Sequence, residues 1–135
     1  MSLTLGIDLG TTACRAAVLD EQGQCLAMAR SSLPSPLKTD LGVEQDPQLW
    51  WQACEKALRE LFIKVSASEV AAIAIDGTSS TLMLSAPNGQ PLSPALMYND
   101  SRARDEASDL AQQAPLEAAV HSPSSSLAKL LWLLG

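Results

Sequence analysis

Leu3-Thr4-Leu5-Gly6-Ile7-Asp8-Leu9-Gly10-Thr11-Thr12 is the stretch from which the rest of this chain can be read. Leu3 to Asp8 is a short apolar strand pattern, and Gly10-Thr11-Thr12 follows at once as turn chemistry, so the strand is expected to end at Asp8. Ala13 to Leu19 is a second strand, Asp20-Glu21-Gln22-Gly23 a second turn, and Gln24 to Arg30 a third strand with Cys25, Ala27 and Ala29 on one face. Three strands joined by tight turns predict an antiparallel meander.

Ser31 to Gln45 contains Pro34, Pro36 and Gly42 and reads as a loop. Asp46 suits a helix N-cap and Pro47 a first helical residue, because the ring presets φ and its missing donor has no intrahelical partner there. Trp50, Ala53, Cys54, Ala57, Leu58, Leu61 and Phe62 then form one apolar stripe, with Trp50 or Trp51 expected in the core. Val70 to Ile75 is a nearly continuous apolar run ending in Asp76-Gly77, the pattern of a strand buried on both faces and paired in parallel, here beside the first strand. Thr81–Leu84 and Ala95–Tyr98, around Pro87-Asn88-Gly89, suggest a hairpin leading into a helix from about Arg102 to Gln113. A last helix after Ser122-Pro123 carries Leu127, Leu130, Leu131 and Leu134 on one side. The order describes the opening of an α/β domain with a mixed sheet. It reads as incomplete at its C-terminal end, since the Leu-rich helix has no later element to receive it.

The 135 residues fit about one domain. A net charge of −6 without any basic stretch argues against nucleic acid and anionic membranes as partners. No apolar run approaches the ~20 residues of a membrane span, and Lys129 interrupts the Leu-rich end. Asp8 falls where a signal peptide needs an apolar core, so a cytoplasmic location is expected. Cys14, Cys25 and Cys54 fit neither a disulfide framework nor a zinc site and are expected as buried or half-buried small side chains.

Asp8-Leu9-Gly10-Thr11-Thr12 sets a carboxylate at a strand end, then a glycine that admits close approach, then hydroxyls and backbone donors. Such a set suits phosphate and hydrated Mg²⁺, although an ordinary hairpin turn has the same composition. It is not a Walker loop, since no GxxxxGK[ST] occurs. Asp76-Gly77-Thr78-Ser79-Ser80-Thr81 repeats the grammar, and two such loops at neighbouring strand ends would share one crevice. The plain alternative is a polar turn whose hydroxyls satisfy local backbone. Tyr98-Asn99-Asp100-Ser101-Arg102 offers groups that hydroxyl-rich ligands need, with Arg102 either reaching a ligand oxygen or fixing Asp100. Against that stands a local use, Asp100 as helix N-cap and Arg102 paired with Glu106. His121 has no nucleophile motif or second metal ligand beside it and reads as structural.

These segments together resemble the FGGY carbohydrate kinases, of the actin-like or RNase H-like ATPase superfamily. Gly6-Ile7-Asp8-Leu9-Gly10-Thr11-Thr12 resembles the family's first phosphate loop, Val43-Glu44-Gln45-Asp46-Pro47 with Trp50 the segment before its first helix, and Asp76-Gly77-Thr78-Ser79 its sugar-side loop. Tyr98-Asn99-Asp100-Ser101-Arg102 resembles the aromatic-Asn-Asp-x-Arg element, and Lys129-Leu130-Leu131-Trp132-Leu133 the Lys-Leu-Leu-Trp-Leu helix. The second loop and the Tyr-Asn-Asp-Ser-Arg element look most like the D-ribulokinase or xylulokinase-like branch, with glycerol a poorer fit.

The resemblance implies ATP-dependent phosphorylation of a sugar hydroxyl between two closing lobes. It assigns Asp8 to Mg²⁺ through water, Gly10, Thr11 and Thr12 to the transferring phosphate, and Gly77, Thr78, Ser79, Asp100 and Arg102 to the sugar. Family members are much longer, so residues 1–135 correspond to the first part of the N-terminal lobe. The second lobe and the Asp general base are not in this chain. The competing readings are a kinase of the same family acting on another polyol and a non-catalytic nucleotide- or sugar-binding fragment. An open sheet edge and the Leu127–Leu134 helix make self-association, for example as a homodimer, a further expectation.

Overall fold

The computed structural model describes residues 2–116 and 118–135. Alternation with a period of two builds its first sheet. β1 (Leu3–Leu9) turns Leu3, Leu5 and Ile7 into the core, β2 (Ala13–Leu19) turns in Cys14, Ala16 and Val18, and β3 (Cys25–Ser32) turns in Ala27 and Ala29. β1 pairs antiparallel with β2 and β2 with β3, which is the expected meander. β1 runs one residue past Asp8. α1 (Pro47–Leu61) starts where Asp46-Pro47 indicated and packs Ala53, Ala57 and Leu61 onto the sheet. Trp50 is half-buried and Trp51 is 68% exposed, so the expected tryptophan anchor gives way to small residues at this seam.

β6 (Val70–Gly77) lies parallel to β1 and completes the order β3-β2-β1-β6. The parallel pairing is as expected and the burial is not. Ile73 and Ile75 are 62% and 67% exposed, and only Val70 is half-buried. The physical reason is position: β6 is an edge strand, and the helix stripe lies on the face of the β1–β3 meander. These elements form one compact unit, residues 1–35 and 48–78.

The second unit comprises residues 36–47 and 79–135. Within the stretch expected as a loop, β4 (Leu37–Lys38) and β5 (Val43–Gln45) form a small antiparallel sheet with β7 (Ala95–Leu96), in the order β4-β5-β7. Strands this short leave no periodicity to read. The expected hairpin survives as single bridges, Leu82 to Leu96 and Ser85 to Pro91, around the turn in which Gly89 takes φ +82°. α2 (Arg104–Ala111) is shorter than predicted. α3 (Ser126–Leu134) leaves Leu127, Leu131 and Leu134 exposed and Leu130 half-buried, as expected of a stripe that no later element receives, while Ala128 and Lys129 are fully buried. Ala128 packs with Ala103 and Ala107 of the α2 region. Among the described residues no helix is long and apolar enough to cross a membrane.

Candidate functional site

In the first unit, the parallel pairing sets Asp8 opposite Asp76 and Leu9 opposite Gly77, so both strand-end carboxylates stand at one rim. Asp8 and Asp76 border a single shallow depression of about 390 Å³ on the sheet. The loops that follow touch, with Thr11 Oγ1 3.4 Å from Thr78 Oγ1. The two loops expected to share one crevice are therefore adjacent as far as Thr78, while the depression itself is lined by strand residues of β1, β2, β3 and β6. Gly10 donates its amide to the Ala13 carbonyl at 3.1 Å, and a Cβ there would lie 3.1 Å from both that oxygen and Arg15 Nη1. A side chain at position 10 would crowd the turn.

The carboxylate of Asp8 accepts from Arg15 Nη1 at 2.8 Å, both side chains being about half exposed at 48% and 46%. Asp76 accepts from its neighbouring Gly77 amide at 2.8 Å. Two hard oxygen donors and two hydroxyls at one rim fit Mg²⁺ held through its own waters and through phosphate oxygens, since that ion dehydrates reluctantly and takes few protein ligands. No cluster of three or more His, Cys, Asp and Glu suited to a directly chelated metal occurs among the described residues. Asp8 is the residue that would hold the hydrated ion. The guanidinium of Arg15 beside it would supply positive charge toward a phosphate.

Arg15 was not singled out from the sequence, and the signal was available. Counting outward from a turn centred on Thr11-Thr12 reaches Asp8 and Arg15 together, the register the hairpin adopts.

The second unit gathers a different polar cluster. Asp100 is fully buried, and its carboxylate accepts from the Val43 amide at 2.7 Å and from Arg102 Nε and Nη2 at 3.1 and 2.9 Å. Burial alone would raise this carboxyl; the hydrogen bonds from Arg102 and Val43 outweigh it and leave it below the usual carboxylate range. Arg102 also pairs with Glu44 at 2.7 Å and lies 4.7 Å from the centre of the Trp132 ring. Gly42 makes room for it, since a Cβ at Gly42 would meet Thr39 Oγ1 at 2.6 Å and Arg102 Nε at 3.2 Å. Of the two uses read for Arg102, the structure displays the one in which it fixes Asp100. The local alternative is not adopted: the residue at the start of α2 is Ala103, without a side-chain cap, and the acid partner of Arg102 besides Asp100 is Glu44 rather than Glu106.

Tyr98 is 48% exposed and Ser79 is exposed, while Ser80 takes the left-handed φ of 58°. His121 Nε2 lies 2.7 Å from the Pro115 carbonyl, consistent with a structural role. Cys14 is buried, Cys54 half-buried and Cys25 exposed, so Cys25 departs from expectation.

A mixed sheet with paired strand-end Asp-x-Gly-Thr-Thr and Asp-Gly-Thr loops marks the actin-like class of phosphate-handling folds. A family model described as the N-terminal domain of the FGGY family of carbohydrate kinases matches residues 3–135, and the chain belongs to that family. It is similar to a xylulose kinase of Escherichia coli (strain K12), with 32% identity over 96% of this chain and 28% of that protein. A glycerol kinase of Acidovorax ebreus is likewise 32% identical, over 99% of this chain and 29% of its own length. Among solved structures, a xyloylose kinase from Brucella ovis superposes with a TM-score of 0.85 at 27% identity, covering 97% of this chain and 29% of that one. The chain thus spans less than a third of the relatives it matches.

Proposed function

We propose that this chain supplies the phosphate-facing rim and part of the sugar-facing wall of an ATP- and Mg²⁺-dependent kinase acting on a hydroxyl of a pentulose, D-xylulose or D-ribulose. The observation that carries the reading is the register of Asp8 against Asp76, which unites two carboxylate–glycine–hydroxyl loops. Mg²⁺-ATP supplies the transferable phosphoryl group. Phosphoryl transfer rests on positioning and charge neutralisation. Asp8 orients the hydrated metal, and Thr11 and Thr12 donate to the phosphate over the turn that Gly10, its amide held by the Ala13 carbonyl, keeps compact. Gly77, Thr78 and Ser79 face the sugar, and Asp100 with Arg102 holds the wall on which Tyr98 and Asn99 are presented. The general base comes from a C-terminal lobe. The cytoplasm is the place of action in this reading. Similarity to xylulose kinases supports the pentulose, and the glycerol kinase relative makes glycerol the comparison substrate.

The test is ADP release from the polypeptide carrying this chain joined to its C-terminal lobe, with Mg²⁺-ATP and D-xylulose, D-ribulose or glycerol in turn. Pentulose-dependent release is expected, and none from residues 1–135 alone. Saturable nucleotide binding with no release on any of the three would favour the non-catalytic reading.

A further inference from the structure

Lys129 is fully buried in α3, a helix whose Leu127, Leu131 and Leu134 are exposed. Its Nζ donates to the Ser80 carbonyl at 2.7 Å and to the Met97 carbonyl at 2.7 Å. These acceptors lie 49 and 32 residues away in sequence. Both belong to irregular backbone. Ser80 holds a left-handed conformation that a serine adopts only when its surroundings impose it, and Met97 O, just past β7, also accepts from the Asp100 amide at 2.9 Å. The Asp100 carboxylate supplies opposing negative charge to the ammonium. An ammonium carries three donors on one compact centre and can tie two carbonyls that approach from different directions, which an apolar side chain cannot do.

We propose that Lys129 is a positioning residue for the sugar-facing loop: its buried ammonium staples the Ser79-Ser80 turn to the Met97–Asp100 segment and so sets where Ser79 and Tyr98 stand. The assignment rests on the kinase reading for its functional consequence and on the two hydrogen bonds for its structural one. A residue that only filled space in α3 would be replaceable by methionine of similar volume. A staple would not.

Hydrogen exchange read by mass spectrometry on residues 1–135 tests the structural part. Lys129→Met is expected to speed exchange about tenfold or more in peptides spanning 79–84 and 97–101, with peptides of β1 and β2 unchanged. Lys129→Gln, which keeps a donor without the charge, is read in the same way should the methionine variant fail to fold. Unchanged exchange in both peptides would overturn the assignment whether or not any sugar is phosphorylated. In the two-lobe polypeptide, Lys129→Met is expected to raise the KM for the sugar about tenfold while the KM for ATP stays within about twofold. Parallel loss of activity with neither KM moved would mark Lys129 as structural and overturn the positioning role. A wild-type polypeptide with the 79–84 peptide protected but no activity on any sugar would overturn the kinase reading and leave the staple in place.

Discussion

Asp8 and Arg15 meet at 2.8 Å with about half of each side chain exposed, whereas Asp100 and Arg102 meet at 2.9 Å with Asp100 wholly buried and a further acid, Glu44, on the same guanidinium. The distances are alike and the consequences are opposite. An exposed pair contributes only about 0–1 kcal/mol and is easily exchanged for another partner, which is what the proposed role of Asp8 toward a hydrated ion requires. A buried, multiply bonded pair cannot exchange partners without exposing an unpaired charge to an apolar surrounding, so Asp100 suits holding backbone in place. In the proposed kinase reading, chemistry and scaffolding are thus divided between two clusters of the same residue types.

The sharpest way to break this comparison is to remove one carboxylate from each cluster. Asp100→Ala should lower the unfolding free energy by about 3–5 kcal/mol, read by denaturant titration, because Arg102 and the Val43 amide lose their acceptor. A loss no larger than that of Asp8→Ala would mean the buried cluster has been overvalued. Asp8→Ala, in the two-lobe polypeptide, should cut phosphoryl transfer by about a hundredfold or more while changing stability by about 1 kcal/mol or less. Equal losses in sugar affinity and turnover would remove Asp8 from the metal.

Acid separates the clusters more gently. With its native value below the unfolded one, Asp100 adds stability that is fully present above about pH 4 and is lost as the pH falls through its native value. The melting temperature should therefore drop below about pH 4, and Asp100→Asn should flatten that slope. The smallest expected effect concerns the thiols. Burial, followed by the neighbouring Cys54, pushes Cys14 up to about 11, so iodoacetamide near neutral pH should label exposed Cys25 and spare Cys14. Prior labelling of Cys14 would show that the α1–sheet seam opens readily.

Much of the first unit was legible because its information is local. The turn at Gly10-Thr11-Thr12 and the strand on either side follow from adjacent residues, and Asp46-Pro47 marks the start of α1 within a single dipeptide. The exposure of Ile73 and Ile75 was not legible, since an apolar run reports preference for a strand and says nothing of what lies over it. Lys129 was legible as a charge in a leucine helix, but its acceptors are backbone carbonyls, which every residue possesses and no sequence distinguishes. The same holds for Asp100, whose strongest backbone donor, Val43, lies 57 residues earlier.

The chain leaves its first unit after Ser35, returns at Gln48 and leaves again after Thr78. That interleaving dictates an order of assembly. The β1–β3 meander and the β4–β5 pair can each close on their own, but the far edge of β5 must wait for β7, the Val43 amide for Asp100, 57 residues on, and β1 for β6. Long-range pairings of this kind close late, because loop entropy is lost before any contact offsets it. Pulse-labelled amides of β2 and β3 should accordingly become protected before those of Val43 and Met97, so that the nascent chain carries a finished hairpin sheet while the wall around Asp100 is still open.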